Sequence, residues 1–396
     1  MTAVAITGVG LTPFGKFKEQ SLKDLARKAI DEALDDAGVG VDEIDMAFVA
    51  NALSPIITGQ VAVLGQVVLS AAGFHGIPVY NIDNACAGSS SALNLTLQAI
   101  RSGAARHVLV VGVEKMYSDD RTATYRALNG AADLEWVQRT GVDVERESVF
   151  VKEVYPARLR SYREKTDLRP ETLATIAVKN RRHAAANPLA QYRESLTVEE
   201  VLAARMVAEP LTTLMCAPIG DGASAAVVSA AHAAARSDRR PAWIRGSAVS
   251  MGSPPGRKSG EGTIARLARD VYRQAGIGPE RIDVAEVHDA TAFSELLAYE
   301  ELGFCEPGAG SALVAAGETA LGGRIPVNPS GGLESRGHPV AATGLAQVIE
   351  LVRQVRGEAG PRQVAGARFG IAESAGGYVN GDSAAVAVTL VGAEPE

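Results

Sequence analysis

LARKAIDEALDDAGVGVDEID (residues 25–45) returns, shortened, as LARDVYRQAGIGPERID (residues 267–283). The first copy lies in a helical pattern. Over Leu22–Ala37 the apolar residues Leu25, Ala29, Ile30, Ala33 and Leu34 fall three or four apart, with Lys, Asp and Glu between them. Gly38 stands where a helix closes on a left-handed residue, and an apolar strand, Met46–Ala50, follows. The second copy keeps the helix, the closing Gly276 and the strand, with a helix four residues (about one turn) shorter. A further echo lies near the end of each half: DGASAAVV (221–228) against GDSAAVAV (381–388). Two echoes in the same order predict an internally duplicated chain.

Working outward, Val4–Gly10, Val79–Ile82 and Val108–Gly112 read as strands and Ser89–Arg101 as a helix. Alternation of strand and helix implies parallel strands with crossover helices, an α/β fold. The polar, proline-containing stretch Arg236–Pro241 marks the join, dividing the chain into halves 1–238 and 239–396. Residues 117–208 break the rhythm. They are richer in Arg, Glu and Tyr, with helical stretches at Pro170–Ala186 and Thr197–Met206. They read as a long insertion over the site or as a helical cover for the core.

Of the 396 residues 46% are apolar and 21% charged, enough to bury a substantial core. The net charge of -7 argues against nucleic acid as a partner. No secretory leader or membrane-spanning run is read. Cys86, Cys216 and Cys305 are few, odd in number and far apart, which suits a reducing cytoplasm. With no CxxC or HExxH, no metal site is expected.

Three segments can carry chemistry. In NACAGSSS (84–91), Cys86 follows a strand and precedes a helix, where free N–H groups and the helix dipole lower a thiol pKa and can hold an oxyanion. The alternative is an inert buried thiol. In NPSGGLESRGHP (328–339), a glycine-rich loop delivers His338 to the mouth of the helix Val340–Val352. In a duplicated fold the two helix entrances can face each other, making His338 the base for Cys86; otherwise His338 caps a loop. In VAEVHDATAF (284–293), His288 can polarise a carbonyl and Asp289 can orient it or cap the helix Ser294–Leu302. His75, His107, His183 and His232 sit in no such setting and read as surface or packing residues.

Asn81–Met116, Lys179–Pro188, Leu211–Val228, Glu286–Gly310 and Val327–Gly344 together resemble, block by block and in order, the thiolase superfamily, and within it the sterol-carrier-protein-x (SCP2-type) thiolases. The resemblance implies a duplicated five-layer αβαβα fold and at least a homodimer, or a dimer of dimers, built through the sheet of the first half. It implies that Cys86 takes an acyl group from a coenzyme A thioester, which is substrate and not resident cofactor. His338 accepts the thiol proton and helps bind the second thioester oxygen, with His288. The N–H of Cys86 and one near Gly376 form the other oxyanion hole, with Asp289 and Asn328 in support. Cys216 and Cys305 fall outside the catalytic set.

One position departs from that pattern. Where these thiolases carry a second, proton-moving cysteine after the His-Asp pair, this chain has Ala290, and Ala372–Gly377 holds no cysteine either. Glu373 or Ser374 is the candidate substitute. The expectation is an acyl-CoA acyltransferase, with or without C–C bond formation or cleavage, working with a small zinc-ribbon/OB-fold partner. The alternatives are a thiolase-fold retro-aldolase acting on a CoA-ester side chain and a non-catalytic subunit.

Overall fold

The repeated segment folds the same way twice. In the first copy the Ser21 hydroxyl accepts from the Asp24 N–H while the Asp24 carboxylate accepts from the Ser21 N–H, starting the helix Leu22–Ala37. Gly38, at φ 66°, closes it. Gly276, at φ 69°, closes the counterpart Thr263–Ala275 in the same way. Each helix is followed by a single 3₁₀ turn, Val41–Glu43 or Pro279–Arg281, and then by a strand, Met46–Ala50 or Val284–Glu286. The structure, a computed structural model, describes residues 2–234, 240–253 and 262–395; the expected join at 238/239 lies outside the described residues.

The strands are β1 Val4–Leu11, β2 Met46–Ala50, β3 Val79–Ile82, β4 His107–Glu114, the small hairpin β5 Met206–Ala208 and β6 Leu211–Thr212, then β7 Gly222–Ala230, β8 Ala242–Ser250, β9 Val284–Glu286, β10 Phe369–Gly376 and β11 Ala385–Gly392. The main sheet runs β3-β2-β4-β7-β1-β8-β11-β10-β9. The second half therefore repeats the first in mirror order, outward from the centre. Among the described residues, the two halves of the sheet join through the β1–β8 pairs Ala5↔Trp243 and Ile6↔Ala242.

Five layers follow from which faces are covered. Leu22–Ala37 packs on one face of β1, β4 and β7, and Thr263–Ala275 on the far face of β8 and β11. Between the two half-sheets lie Gly88–Arg101 and Val340–Arg356, which touch each other and strands of both halves. Every residue from Val340 to Val352 is buried, as a helix enclosed on all sides requires. Close approach in this middle layer needs glycine: a Cβ on Gly344 would stand 2.1 Å from Ser90 Oγ.

The helix expected to reach Met206 stops at Ala203, because Met206 pairs with Thr212 and the chain turns into the β5–β6 hairpin. Within 117–208, helix Pro170–Ala185 is a buried strut between the halves. Its Lys179 and Asn180 bond Glu295, and Asn180 also reaches Asp289 and Glu334.

Candidate active site

The chain leaves β3 through a constrained turn. The Asp83 carboxylate accepts from the Ala85 N–H at 3.0 Å, and Ala85 takes a positive φ of 47°. A 3₁₀ turn, Ala85–Ala87, then runs directly into helix Gly88–Arg101, so Cys86 sits at a helix entrance. β10 clamps the turn from below. The Ser374 hydroxyl donates to the Cys86 carbonyl at 3.1 Å. Gly376 approaches so closely that a Cβ there would be 2.5 Å from Asn84 O and 2.7 Å from the nitrogens of Cys86 and Ala87.

His338 arrives from the other half. Its ring Nε2 lies 3.4 Å from Cys86 Sγ. Its Nδ1 lies 2.8 Å from Thr343 Oγ1, and the Thr343 hydroxyl gives its one hydrogen to the Pro339 carbonyl at 2.8 Å. Toward the imidazole, Thr343 is therefore an acceptor. The ring proton is fixed on Nδ1, and Nε2 presents a lone pair to the thiol.

The charge states of this pair differ from the expectation of a thiol lowered by the helix terminus. Burial pushes the Cys86 thiol up to about 12, and the N–H groups of Gly377 and of Cys86 itself offset this only in part. Burial, then the neighbouring His288 and Arg336, holds His338 well below the ordinary imidazole range. The resting pair is neutral thiol and neutral imidazole.

His288 stands beside them, its ring edge-on to that of His338 with centroids 5.1 Å apart. Its Nε2 is buried without a protein partner, and burial lowers its pKa to about 4. Its backbone N–H donates to Glu373 Oε2 at 3.0 Å. The other oxygen of Glu373 has no hydrogen-bond partner among the described residues, and burial raises this carboxyl to about 7. Cys86, His288, His338, Ala290 and Glu373 line one cavity of about 240 Å³. Cys86 Sγ and one ring nitrogen of each histidine lie within 4.8 Å of one another, a donor set of metal-ligand type among the described residues.

The other candidates lie behind this cavity. The Asp289 carboxylate does not cap the helix after it; Thr291 starts that helix, Ala292–Glu301. Asp289 instead accepts from the Leu333 and Glu334 N–H groups, capping the short helix Gly332–Arg336. Asn328, at φ 54°, accepts from the Val287 N–H through Oδ1 and donates one Nδ2 hydrogen to the Glu295 carboxylate. Ser374 is committed to Cys86 O. The N–H near Gly376 that favours the thiolate is that of Gly377, the residue after it.

Two residues that the sequence reading passes over shape this site. Thr343 sets the tautomer of His338. Glu114, fully buried at the end of β4, accepts from Ser54 N and Oγ and from the N–H groups of Ala52 and Leu53, and also from the Ala341 N–H at 3.1 Å. It thus joins the first half to the helix that starts after His338. A buried acid at a strand end was the available signal.

The 117–208 segment contributes Tyr125, Leu128, Phe150, Val154, Tyr155 and Arg158 to the cavity wall.

Residues 4–232 match the family model described as thiolase, N-terminal domain, and residues 261–389 the one described as thiolase C-terminal domain-like. An acetyl-CoA acetyltransferase of Methanothermobacter thermautotrophicus is 36% identical over 390 residues, spanning 98% of this chain and 99% of that protein. Human sterol carrier protein 2 is 34% identical over 410 residues, spanning 98% of this chain and 71% of that one. The benzoylsuccinyl-CoA thiolase subunit BbsB of Thauera aromatica is 33% identical over 369 residues, 91% of each chain. Among solved structures, one titled Ltp2-ChsH2(DUF35) aldolase superposes with a TM-score of 0.78 at 25% identity, covering 98% of this chain and 97% of that one.

Proposed function

The chain belongs to the thiolase family, and from that premise we propose that it is an acyltransferase that carries the acyl group of a coenzyme A thioester on Cys86. The observation that carries this reading is the 3.4 Å contact between Cys86 Sγ and His338 Nε2, with the imidazole proton pinned on Nδ1 by Thr343. The sulfur attacks the thioester carbon while its proton passes to Nε2. The new S–C bond replaces the bond to CoA, and the imidazolium, poorly tolerated where it is buried, returns the proton to the departing CoA thiolate. The N–H groups of Cys86 and Gly377 face the oxygen that becomes anionic.

With Ala290 in the usual place of a second cysteine, Glu373 takes the acid/base role in C–C bond formation or cleavage. It faces the cavity and has a free oxygen and a carboxyl raised to about 7, near the working pH. Ser374 does not take this role, because its hydroxyl holds the nucleophile turn.

The protein works at least as a homodimer through the edge strand β3, where Tyr80 is 48% exposed. A small zinc-ribbon/OB-fold protein is its further partner, a reading supported by relatives and structures whose names are those of subunits or assemblies. Its three unpaired cysteines suit a cytoplasm. Among the described residues no helix is long and apolar enough to cross a membrane.

Intact-protein mass spectrometry after mixing with acyl-CoA tests the reading. The expected result is a single acyl increment that is absent in Cys86→Ala; a folded wild-type protein labelled by no acyl-CoA overturns it. A retro-aldolase reading is favoured by Ala290 and the aldolase neighbour. It predicts that Cys86→Ala still cleaves a 3-hydroxyacyl-CoA.

A further inference from the structure

The wall of the cavity opposite Cys86 has a composition unlike the rest of the chain. The protein holds 8 Phe, 9 Tyr and 2 Trp in all. Five of these, Tyr125, Phe150, Tyr155, Phe293 and Tyr378, line this one cavity. Four of the five come from the 117–208 segment or the β10–β11 connection and one, Phe293, from the helix that follows His288.

Local chemistry explains how the first wall is aimed. Pro156 has no N–H to give to the carbonyl four residues earlier, and the preceding turn, Phe150–Val154, opens to a π turn in which the Tyr155 N–H reaches Phe150 O. Through that turn and the helix Tyr155–Arg163, residues 150, 151, 154, 155 and 158 all face the cavity. Phe150 and Tyr155 stand 6.4 Å apart at 41°. Phe293 is fixed edge-on by Tyr162 at 5.5 Å, and Leu297, one turn on, also lines the cavity.

Size and charge narrow the occupant. An acetyl group fills about the space of two waters, roughly 60 Å³ of liquid volume, whereas a dry apolar cavity of about 150 Å³ takes up benzene. The cavity here is about 240 Å³ and mostly apolar. Arg158 is the one Lys or Arg among its described lining residues, and it is tied to Asp382 at 3.1 Å; Glu301 and Glu373 face the same space. Among the described lining residues, the one guanidinium or ammonium that could meet a carboxylate on the acyl group is thus already paired with an acid.

We infer that the acyl site selects an uncharged, ring-bearing (aryl) acyl thioester, with Phe150, Tyr155 and Phe293 as its specificity-determining residues. The inference rests on the acyl-Cys86 reading above. Each favourable ring–ring contact is worth roughly a 2- to 10-fold preference.

The test is the rate of intact-protein labelling by benzoyl-CoA, acetyl-CoA, hexanoyl-CoA and succinyl-CoA. Wild type is expected to label with benzoyl-CoA at least about 10-fold faster than with acetyl- or hexanoyl-CoA, and slowest with succinyl-CoA. Phe150→Ala and Phe293→Leu, checked for folding by circular dichroism, are expected to lower the benzoyl-to-acetyl ratio several-fold. Labelling by acetyl- or hexanoyl-CoA as fast as by benzoyl-CoA overturns the inference and leaves the acyl-enzyme standing. An unchanged ratio in both variants overturns the assignment of those walls. Absence of labelling by any of the four removes the acyl-enzyme itself.

Discussion

Cys86 and His338 occupy equivalent places in the two halves, each at the head of one of the paired central helices, yet the two turns are held by different means. The Cys86 turn is shaped mainly by backbone: a positive φ at Ala85, a close approach by Gly376 and one hydroxyl on the Cys86 carbonyl. The His338 turn is encased. Residues 325–352 are all buried, and buried side chains fix it: Glu286 on Ser330 and Arg336, Asp289 on Leu333, Thr343 on the ring. A nucleophile needs a position and nearby N–H groups, which a turn before a helix provides. A base needs a position and a chosen tautomer, and here the Thr343 side chain chooses it. The duplicated scaffold supplied two similar helix entrances, and the second half was rebuilt around the stricter requirement.

The comparison is broken most severely by removing either member. Cys86→Ala is expected to abolish the acyl adduct, while His338→Ala leaves a thiol that still acylates, about 10²–10⁴-fold more slowly. Equal, complete loss of labelling in both would mean that His338 does more than move the proton. Rates of adduct formation by stopped mass spectrometry decide this.

The next effect falls on the backbone-held turn. Gly376→Ala places a Cβ within 2.7 Å of three backbone atoms of residues 84–87. The turn must move, and acylation is expected to fall at least about 10-fold with a loss of about 1–3 kcal/mol in stability. Wild-type labelling in this variant would show that the nucleophile turn tolerates displacement.

On the side-chain-held turn, Thr343→Val removes the acceptor for the Nδ1 proton. The ring can then carry its proton on Nε2, facing the sulfur with no lone pair. Acylation is expected to fall about 10-fold, with Thr343→Ser restoring most of it, because serine keeps the oxygen. Failure of serine to rescue would point to lost packing by the threonine methyl and not to the tautomer.

The sequence made the first of these turns and the outline of the second legible. The repeat of 25–45 at 267–283 predicted the paired halves, because helix periodicity and a closing glycine are local signals. Cys86 and His338 stood out because each is a reactive residue between a strand-like or glycine-rich stretch and a helix. What stayed hidden depends on neighbours far apart in the chain. Asp289 reads from the sequence as orienting His288 or capping the helix after it, but its carboxylate bonds the N–H of residue 333. Asn328 reads as a site residue, and its bonds to the Val287 N–H and the Glu295 carboxylate, which fix the amide, came only with the fold. The upward shift of the Cys86 thiol also required the fold, since burial outweighs the N–H groups that the helix entrance supplies.

On the proposed reading Glu373 separates two chemistries that share the cavity, and it carries the smallest effect. In the proposed mechanism acylation uses His338, held below the ordinary imidazole range near 6.5, so its rate should stay level as pH falls through that value. A C–C step that uses Glu373 as base should instead decline as pH falls through about 7, and Glu373→Gln should slow that step while leaving adduct formation nearly intact. The same carboxyl gives a stability readout independent of activity. Its folded pKa, about 7, is raised above the ordinary 4.5. Below 4.5 the folded and unfolded chains both hold the proton, and the group's contribution to stability is fully present. Between 4.5 and 7 the unfolded chain releases the proton while the folded chain retains it, so stability falls by roughly 1.4 kcal/mol per pH unit; above 7 the loss is complete and constant. Glutamine has no such slope. It does change the bond to the His288 N–H, but that offset is the same at every pH. Denaturant unfolding across this range should therefore show the Glu373→Gln and wild-type stabilities diverging, in favour of glutamine, up to about pH 7 and running parallel beyond it. Parallel curves throughout would mean that the Glu373 carboxyl is not raised, and with that its place as the acid/base beside Ala290 would go.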